Sequence, residues 1–326
     1  MPVENTRQCD TGALTGNFNG LYYNSLAEQR PEMKSYFKLI RVHHWVKNFL
    51  IFLPLIFSGQ LQNVPLLVTA FLGFFAFCLL SSFVYVLNDI KDIEQDRQHP
   101  TKKNRPLASG KISVQAAKIS LGVLIVLAAA LLFPACKAGW GWGFAAVYLV
   151  VNLCYSNGAK NVPLLDIVLL VSGFMVRVFF GSAITGIEIS NWLYLTVFTS
   201  CTYLALGKRR NEYRLAQSAP RDMNSSKTRS VLKFYNYEFL DKNMSICLGL
   251  TITFYALWCI DPVTVKKIGS PYLVWTVPLL IILGMKYSLN IENDSDGDPV
   301  EVILADKTLL LLGLIFAGIL GAMVYI

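Results

Sequence analysis

The run VPLLVTAFLGFFAFCLLSSFVYVLNDIKDIEQD, from Val64 to Asp96, decides the fold. Its first part, through Leu87, carries no charged side chain. A helix needs roughly 20 apolar residues to cross the hydrocarbon core of a bilayer. The run therefore reads as a spanning helix that ends abruptly in acids. At about 100° per residue, Tyr85, Asp89, Asp92 and Asp96 share one helical face, with Asn88 at its edge. Lys91 and Glu94 point elsewhere. One face thus presents an amide and three carboxylates where the helix leaves the membrane. Hard oxygen ligands at this spacing suit Mg2+, which keeps several waters and binds through one or two carboxylates plus substrate phosphates.

The rest of the chain agrees with a membrane setting. Of its 326 residues, 54% are hydrophobic and 15% charged, where a soluble domain is nearer about 25% charged. The length alone would suit two soluble domains, but the apolar runs overturn that. Nine spans are expected, near 47–60, 64–88, 113–133, 139–156, 163–186, 190–207, 244–262, 271–289 and 305–326. Pro54 makes the first short and tilted or kinked. The fold class is all-α, a polytopic helical bundle. Residues 1–35 read as a disordered cytoplasmic tail centred on TGALTGNFNG, and residues 36–326 as one transmembrane catalytic domain. The tail has no apolar core, so no cleavable leader is expected.

Formal charge is +8. In a membrane protein such an excess collects in cytoplasmic loops, so it does not imply nucleic acid. Lysines and arginines crowd the segment before the first span and the loops after the second and sixth. Lys137, Lys266 and Lys267 are exceptions. The count puts the N-terminus and the acidic cluster on the cytoplasmic side of a bacterial-type inner membrane. The two long basic loops are separated by four spans, an echo of two related halves. None of the seven cysteines forms a CxxC pair, and most lie in apolar spans as small packing residues.

Beyond the acids the chain reads His99-Pro-Thr-Lys102-Lys103-Asn104-Arg105-Pro106-Leu107-Ala108-Ser109-Gly110. Acids that hold a metal are followed by bases that can hold phosphate oxygens, the mixture that departure of a diphosphate needs. His99 reads as a plain loop residue.

NDxxDxxxD followed by KNRPLxxG resembles the UbiA superfamily of intramembrane prenyltransferases. The resemblance implies a helical bundle around a lipid-accessible cavity, with Asn88, Asp92 and Asp96 holding Mg-diphosphate and Asp89 and Asp92 in the catalytic centre. Aromatic prenyltransferases of the superfamily carry a second aspartate motif after the sixth helix. Here that loop reads Gly207-Lys208-Arg209-Arg210-Asn211-Glu212. Lysine and arginine bind phosphate without a bridging metal. Together with His44-Trp45-Val46-Lys47-Asn48, Tyr155-Ser156-Asn157-Gly158-Ala159-Lys160 with Asp166, and Asp298-Pro-Val-Glu301 continuing to Asp306, this loop is similar to the branch of decaprenyl-phosphate phosphoribosyltransferases. That branch moves a phosphoribosyl group from 5-phosphoribosyl 1-diphosphate (PRPP) to a polyprenyl phosphate. The paired-acid, Gly- and Thr-rich loop of soluble phosphoribosyltransferases is absent. A homo-oligomer is expected by resemblance.

On this reading Lys47, Lys102, Arg105, Tyr155, Lys160, Lys208, Arg209 and Arg210 bind substrate phosphates, with the last three divided between the site and lipid headgroups. Attack by the anionic lipid phosphate needs no strong base, and a single displacement inverts the anomeric carbon. Asp166 is a third catalytic candidate. Arg177 lies eleven residues on, on the same helix face, with Gly173 and Gly181 on the same stripe to permit close approach. Arg177 is open to a site role or a structural pairing, and Arg41 to a site role or snorkelling. Trp258, Tyr272 and Trp275 are expected in the interfacial aromatic belt. Asp294, Asp296 and Asp298 lack the glutamate spacing of a calcium loop. Two rival functions remain: a prenyltransferase acting on an aromatic or other polar acceptor, and a transporter for a phosphorylated solute. The basic loop argues against the first, and the one-sided acid–base cluster against the second.

Overall fold

A computed structural model describes residues 33–99, 102–137, 139–218, 230–292 and 299–325. Residues 1–32 of the expected tail, Cys9 among them, and the acids Asp294, Asp296 and Asp298 lie outside them, while residues 33–35, expected in the tail, open a helix. Every regular element among the described residues is helical. The chain enters through α1 (Met33–Leu39), a 3-10 segment (Val42–Phe52) and α2 (Leu53–Phe57). Next come α3 (Val64–Lys91), α4 (Ile93–Gln98), α5 (Val114–Ala135), α6 (Trp140–Ser156) and α7 (Leu165–Thr185). Then follow α8 (Asn191–Ser218), α9 (Tyr237–Ile260), α10 (Pro262–Ile268) and α11 (Val277–Glu292). The last two are α12 (Pro299–Ala305) and α13 (Lys307–Tyr325).

The helix starts follow from local chemistry. The first N–H groups of a helix lack intrahelical partners, and short polar side chains satisfy them. Asn63 caps Leu66 N–H in α3, Ser113 caps Ala116 N–H in α5, and Asn236 caps Phe239 N–H in α9. The outward faces are apolar: Val126 is 66% and Phe133 80% exposed, as surfaces against acyl chains should be.

Among the described residues six helices are long and apolar enough to cross a membrane, or seven if α1 and Val42–Phe57, bent by 48°, form one span. This is a multi-pass membrane protein. The expected nine are not reached on these grounds. The helix within 139–156 has 17 residues. The one covering 190–207 continues past its apolar part into Lys208 and beyond, and carries many hydroxyls. Those of Thr196, Thr199, Ser200 and Thr202 donate to carbonyls four residues back, which lets polar residues sit within a buried helix.

The centre of the bundle is α7. Its Val176 and Phe180 pack with Phe77, Leu80 and Val84 of α3 and Tyr148 of α6. Its Ile167, Val171 and Met175 join the second core, formed by α8, α9, α11 and α13. Gly181 is what lets the 3-10 segment approach. A Cβ there would stand 2.1 Å from the Ile51 carbonyl oxygen. Cys78, Cys136, Cys201 and Cys259 are buried packing residues. Trp258 departs from expectation. It is 3% exposed, wedged edge-on against Phe57 and stacked beside Tyr255, because α10 turns back over it. Tyr272 and Trp275 are exposed.

Candidate active site

The C-terminal ends of α3 and α6, the N-terminal part of α7, the 3-10 segment and the chain after α4 converge on one cavity of about 400 Å³. Asn88 and Asp89 of α3, Asp92 capping its C-terminus and Tyr85 one turn earlier line one wall. Asn152, Tyr155 and Ser156 of α6 and Lys160 beyond it line another. Lys208 reaches in from α8, and Lys102 and Arg105 from the segment after α4. Arg41 and Lys47 flank the chain's entry, while Leu169, Leu170, Phe174 and Arg177 of α7 form the inner wall.

The acids of the quoted run divide. Asp89 is 3% exposed and its Oδ1 accepts from Arg41 Nη2 at 2.5 Å and Arg105 Nη1 at 3.1 Å. Asp96 is also buried, and its Oδ2 accepts from the same Arg105 Nη1 at 2.7 Å. Arg105 therefore clamps the two acids together, and Asp96 does not line the cavity. Asp92 and Asn88, one helical turn apart, do line it, and neither side chain makes a hydrogen bond or ion pair among the described residues. Glu94 and Arg97 pair in solvent, away from the site.

Arg41 is more than a snorkelling side chain. It adopts left-handed backbone angles at φ 52° and ψ 53°. Such angles cost a non-glycine residue roughly 1–2 kcal/mol and collect at functional sites. Arg41 also lies over the Tyr85 ring at 4.7 Å.

Behind Lys208 lies a closed polar network. Arg209 Nε donates to Asp166 Oδ2 at 2.6 Å, Nη1 to Glu212 Oε2 at 2.6 Å and Nη2 to the Tyr155 hydroxyl at 3.0 Å. The Tyr235 hydroxyl donates to Asp166 Oδ1 at 2.6 Å and accepts from Leu164 N–H at 2.7 Å. Burial, together with the donation to Asp166, pushes the Tyr235 phenol up to about 12, so it remains a donor at physiological pH. Asp166 and Arg209 are both wholly buried. Arg210 turns the other way, pairing with Asp241 and with Glu292 at 2.7 Å and lying near the Tyr237 ring. The basic triplet thus splits: Lys208 lines the cavity, Arg209 braces its wall, and Arg210 ties α8 to α9 and α11. Arg210 is not brought to the cavity.

Among the cavity residues that the sequence reading does not single out are Tyr148 and Asn152. Their spacing from Tyr155, seven and three residues, would have put them on its helical face. His99 is a loop residue whose Nδ1 accepts from Lys102 N–H at 3.4 Å.

Among the described residues no group of three His, Cys, Asp or Glu side chains could hold a metal by itself. The unpaired Asn88 and Asp92 fit an ion of the Mg2+ type, which takes one or two protein oxygens and completes its shell with water and substrate phosphate.

The model of the UbiA prenyltransferase family matches residues 49–304. Decaprenyl-phosphate phosphoribosyltransferase of Corynebacterium glutamicum is 32% identical over 89% of this chain and 86% of its own length. That of Mycolicibacterium smegmatis is 30% identical over 88% of this chain and 92% of its own. A UbiA homolog from Archaeoglobus fulgidus, solved with GPP and Mg2+, superimposes with a TM-score of 0.63 at 19% identity, covering 89% of this chain and 99% of that one. The likeness of that structure extends to the fold. Sequence and architecture together establish that the chain is a membrane transferase and belongs to the UbiA prenyltransferase family.

Proposed function

We propose that this chain transfers the 5-phosphoribosyl group of PRPP to a polyprenyl phosphate and releases diphosphate. The observation that carries this reading is the charge of the cavity. Seven basic side chains line it against two carboxylates, Asp89 and Asp92, and Asp89 is already committed to Arg41 and Arg105. That excess suits two substrates that together carry a diphosphate and two phosphate monoesters. A prenyl diphosphate with an uncharged acceptor would need far less. The names of the bacterial relatives support the same chemistry.

In this mechanism Asn88 and Asp92 hold Mg2+, which when bound neutralises charge on the departing diphosphate. Lys160, Lys208 and Lys102 bind donor phosphate oxygens as mobile point charges. Tyr155, fixed by Arg209, donates or accepts at the same wall. Lys47 and the apolar Leu169, Leu170 and Phe174 receive the lipid from the bilayer. The lipid phosphate oxygen attacks the anomeric carbon as the bond to diphosphate breaks, inverting that carbon. The nucleophile is already anionic, so no side chain takes a proton. Positioning and preorganised charge supply most of the rate. Lysine and arginine counting supports a cavity mouth on the cytoplasmic side.

The test is direct. Purified protein in detergent receives ribose-labelled PRPP, a polyprenyl phosphate and Mg2+. A labelled lipid that disappears with Asp92→Ala is expected. Label that stays wholly water-soluble with every lipid acceptor refutes the reading.

A further inference from the structure

Arg177 stands about 16 Å along α7 from Asp166, three helical turns toward the membrane interior. It lines the inner end of the cavity yet is only 6% exposed. Its Nε donates to Asn48 Oδ1 at 2.6 Å, Nη1 to the Gly173 carbonyl at 2.5 Å and Nη2 to the Tyr148 hydroxyl at 3.2 Å. The guanidinium also lies 4.7 Å from the Tyr148 ring centre. All these partners are neutral, and among the described residues it has no carboxylate in ion-pair range.

The surroundings hold this cation ready rather than neutralise it. Asn48 is wholly buried, and its Nδ2 faces Cys78 and Ser81 of α3, which turns its only acceptor toward Arg177. The side chain folds back toward the start of α7, where its Nη1 meets the Gly173 carbonyl. Three N–H groups are used and two remain of the five that a guanidinium offers. A buried charge without a counter-ion is costly, and an ionisable group inside a membrane bundle points to a ligand.

We propose that Arg177, set by Asn48 and Tyr148, forms an inner anion subsite for a phosphate monoester, separate from the diphosphate subsite at Asn88 and Asp92. This rests on the phosphoribosyl-transfer reading, which supplies two such groups: the 5-phosphate of the donor and the phosphate of the lipid acceptor. Both are dianions near neutral pH with oxygens suited to the two remaining N–H groups. The subsite fixes the distance between the monoester and the leaving diphosphate.

Equilibrium binding to purified protein separates the possibilities. The probes are PRPP, farnesyl monophosphate and inorganic diphosphate, each with Mg2+. Arg177→Gln is expected to weaken one monoester probe by about tenfold or more, the loss of a charge-assisted contact. Inorganic diphosphate should stay within about twofold of wild type, and Arg177→Lys should recover part of the loss. The probe that weakens identifies which phosphate occupies the subsite. If Arg177→Gln does not fold, Tyr148→Phe takes its place, with a loss of roughly threefold for the same probe. Folded variants that bind both monoesters as the wild type does overturn the subsite alone. Wild-type protein that binds diphosphate but neither monoester overturns the phosphoribosyl reading and the subsite with it.

Discussion

Arg209 Nε donates to Asp166 Oδ2 at 2.6 Å, and both side chains are wholly buried. Tyr235 takes the other carboxylate oxygen. Asp166 therefore faces Arg209 and Tyr235 rather than the cavity. The geometry assigns it a positioning role: it orients Arg209, and Arg209 holds Tyr155 in the cavity wall.

Removing Asp166 strands a buried guanidinium. Asp166→Ala is expected to destabilise the protein by about 3 kcal/mol, the usual cost of breaking one side of a buried ion pair. The double variant Asp166→Leu with Arg209→Met should be less destabilised than the two single effects summed. Its activity should stay low, because Tyr155 loses its anchor. Denaturation in mixed micelles, with assays on the same samples, reads both. Full activity in a stable double variant contradicts the assignment.

Asp92 and Asp96 should part company. Asp92 lines the cavity with an unpaired carboxylate, while Asp96 is clamped by Arg105. Asp92→Ala should lower turnover by on the order of a thousandfold, as losing a group that stabilises developing charge does, and raise the Mg2+ requirement. Asp96→Ala should act through Arg105, with a loss of roughly 10–100-fold, typical of supporting contacts. Mg2+ titrations of the two variants separate them, and equal shifts in metal dependence would count against the division.

Neighbouring basic residues should also differ. Lys208→Ala should raise the KM for PRPP about tenfold, the scale of one lost charged hydrogen bond. Arg210→Ala should lower the melting temperature while leaving that KM close to wild type, since its partners are Asp241 and Glu292. Steady-state kinetics beside thermal melting decides this.

Two glycines test the packing of α7. Gly181→Ala drives a Cβ into the Ile51 carbonyl, a backbone atom that cannot move alone. A cost of about 3 kcal/mol or more is expected, at the upper end for overpacking. Gly73→Ala meets the side chains of Ile184 and Phe180 instead. Ile184 can shift its terminal methyl more readily than a backbone carbonyl can move, so a smaller cost, about 1–2 kcal/mol, is expected. Chemical denaturation of both variants gives the comparison.

Much of this was legible from residue order. The apolar run ending at Asn88 fixed a spanning helix, and the helical period placed Asp89, Asp92 and Asp96 on one face. The period could not say that Arg105, nine residues past Asp96, would take two of those acids, because that requires the chain to turn back after α4. Positive-inside counting grouped Lys208, Arg209 and Arg210 as one patch. Successive residues on a helix point about 100° apart, so one faces the cavity, one the core and one α11. Trp258 was misplaced at the interface because its burial depends on α10 folding over it. The helix at 190–207 is apolar only in part, because it carries hydroxyls that bond to its own carbonyls.

Phosphoribosyl transfer differs from prenyl transfer in which bond breaks and which fragment joins the lipid. PRPP labelled separately in the ribose and in the terminal phosphate of its diphosphate, incubated with the protein, a polyprenyl phosphate and Mg2+, tests it most directly. The ribose label is expected to move to the lipid phase in step with release of the phosphate label as free diphosphate. A lipid product carrying neither label, or a protein that consumes prenyl diphosphate and leaves PRPP untouched, would contradict it.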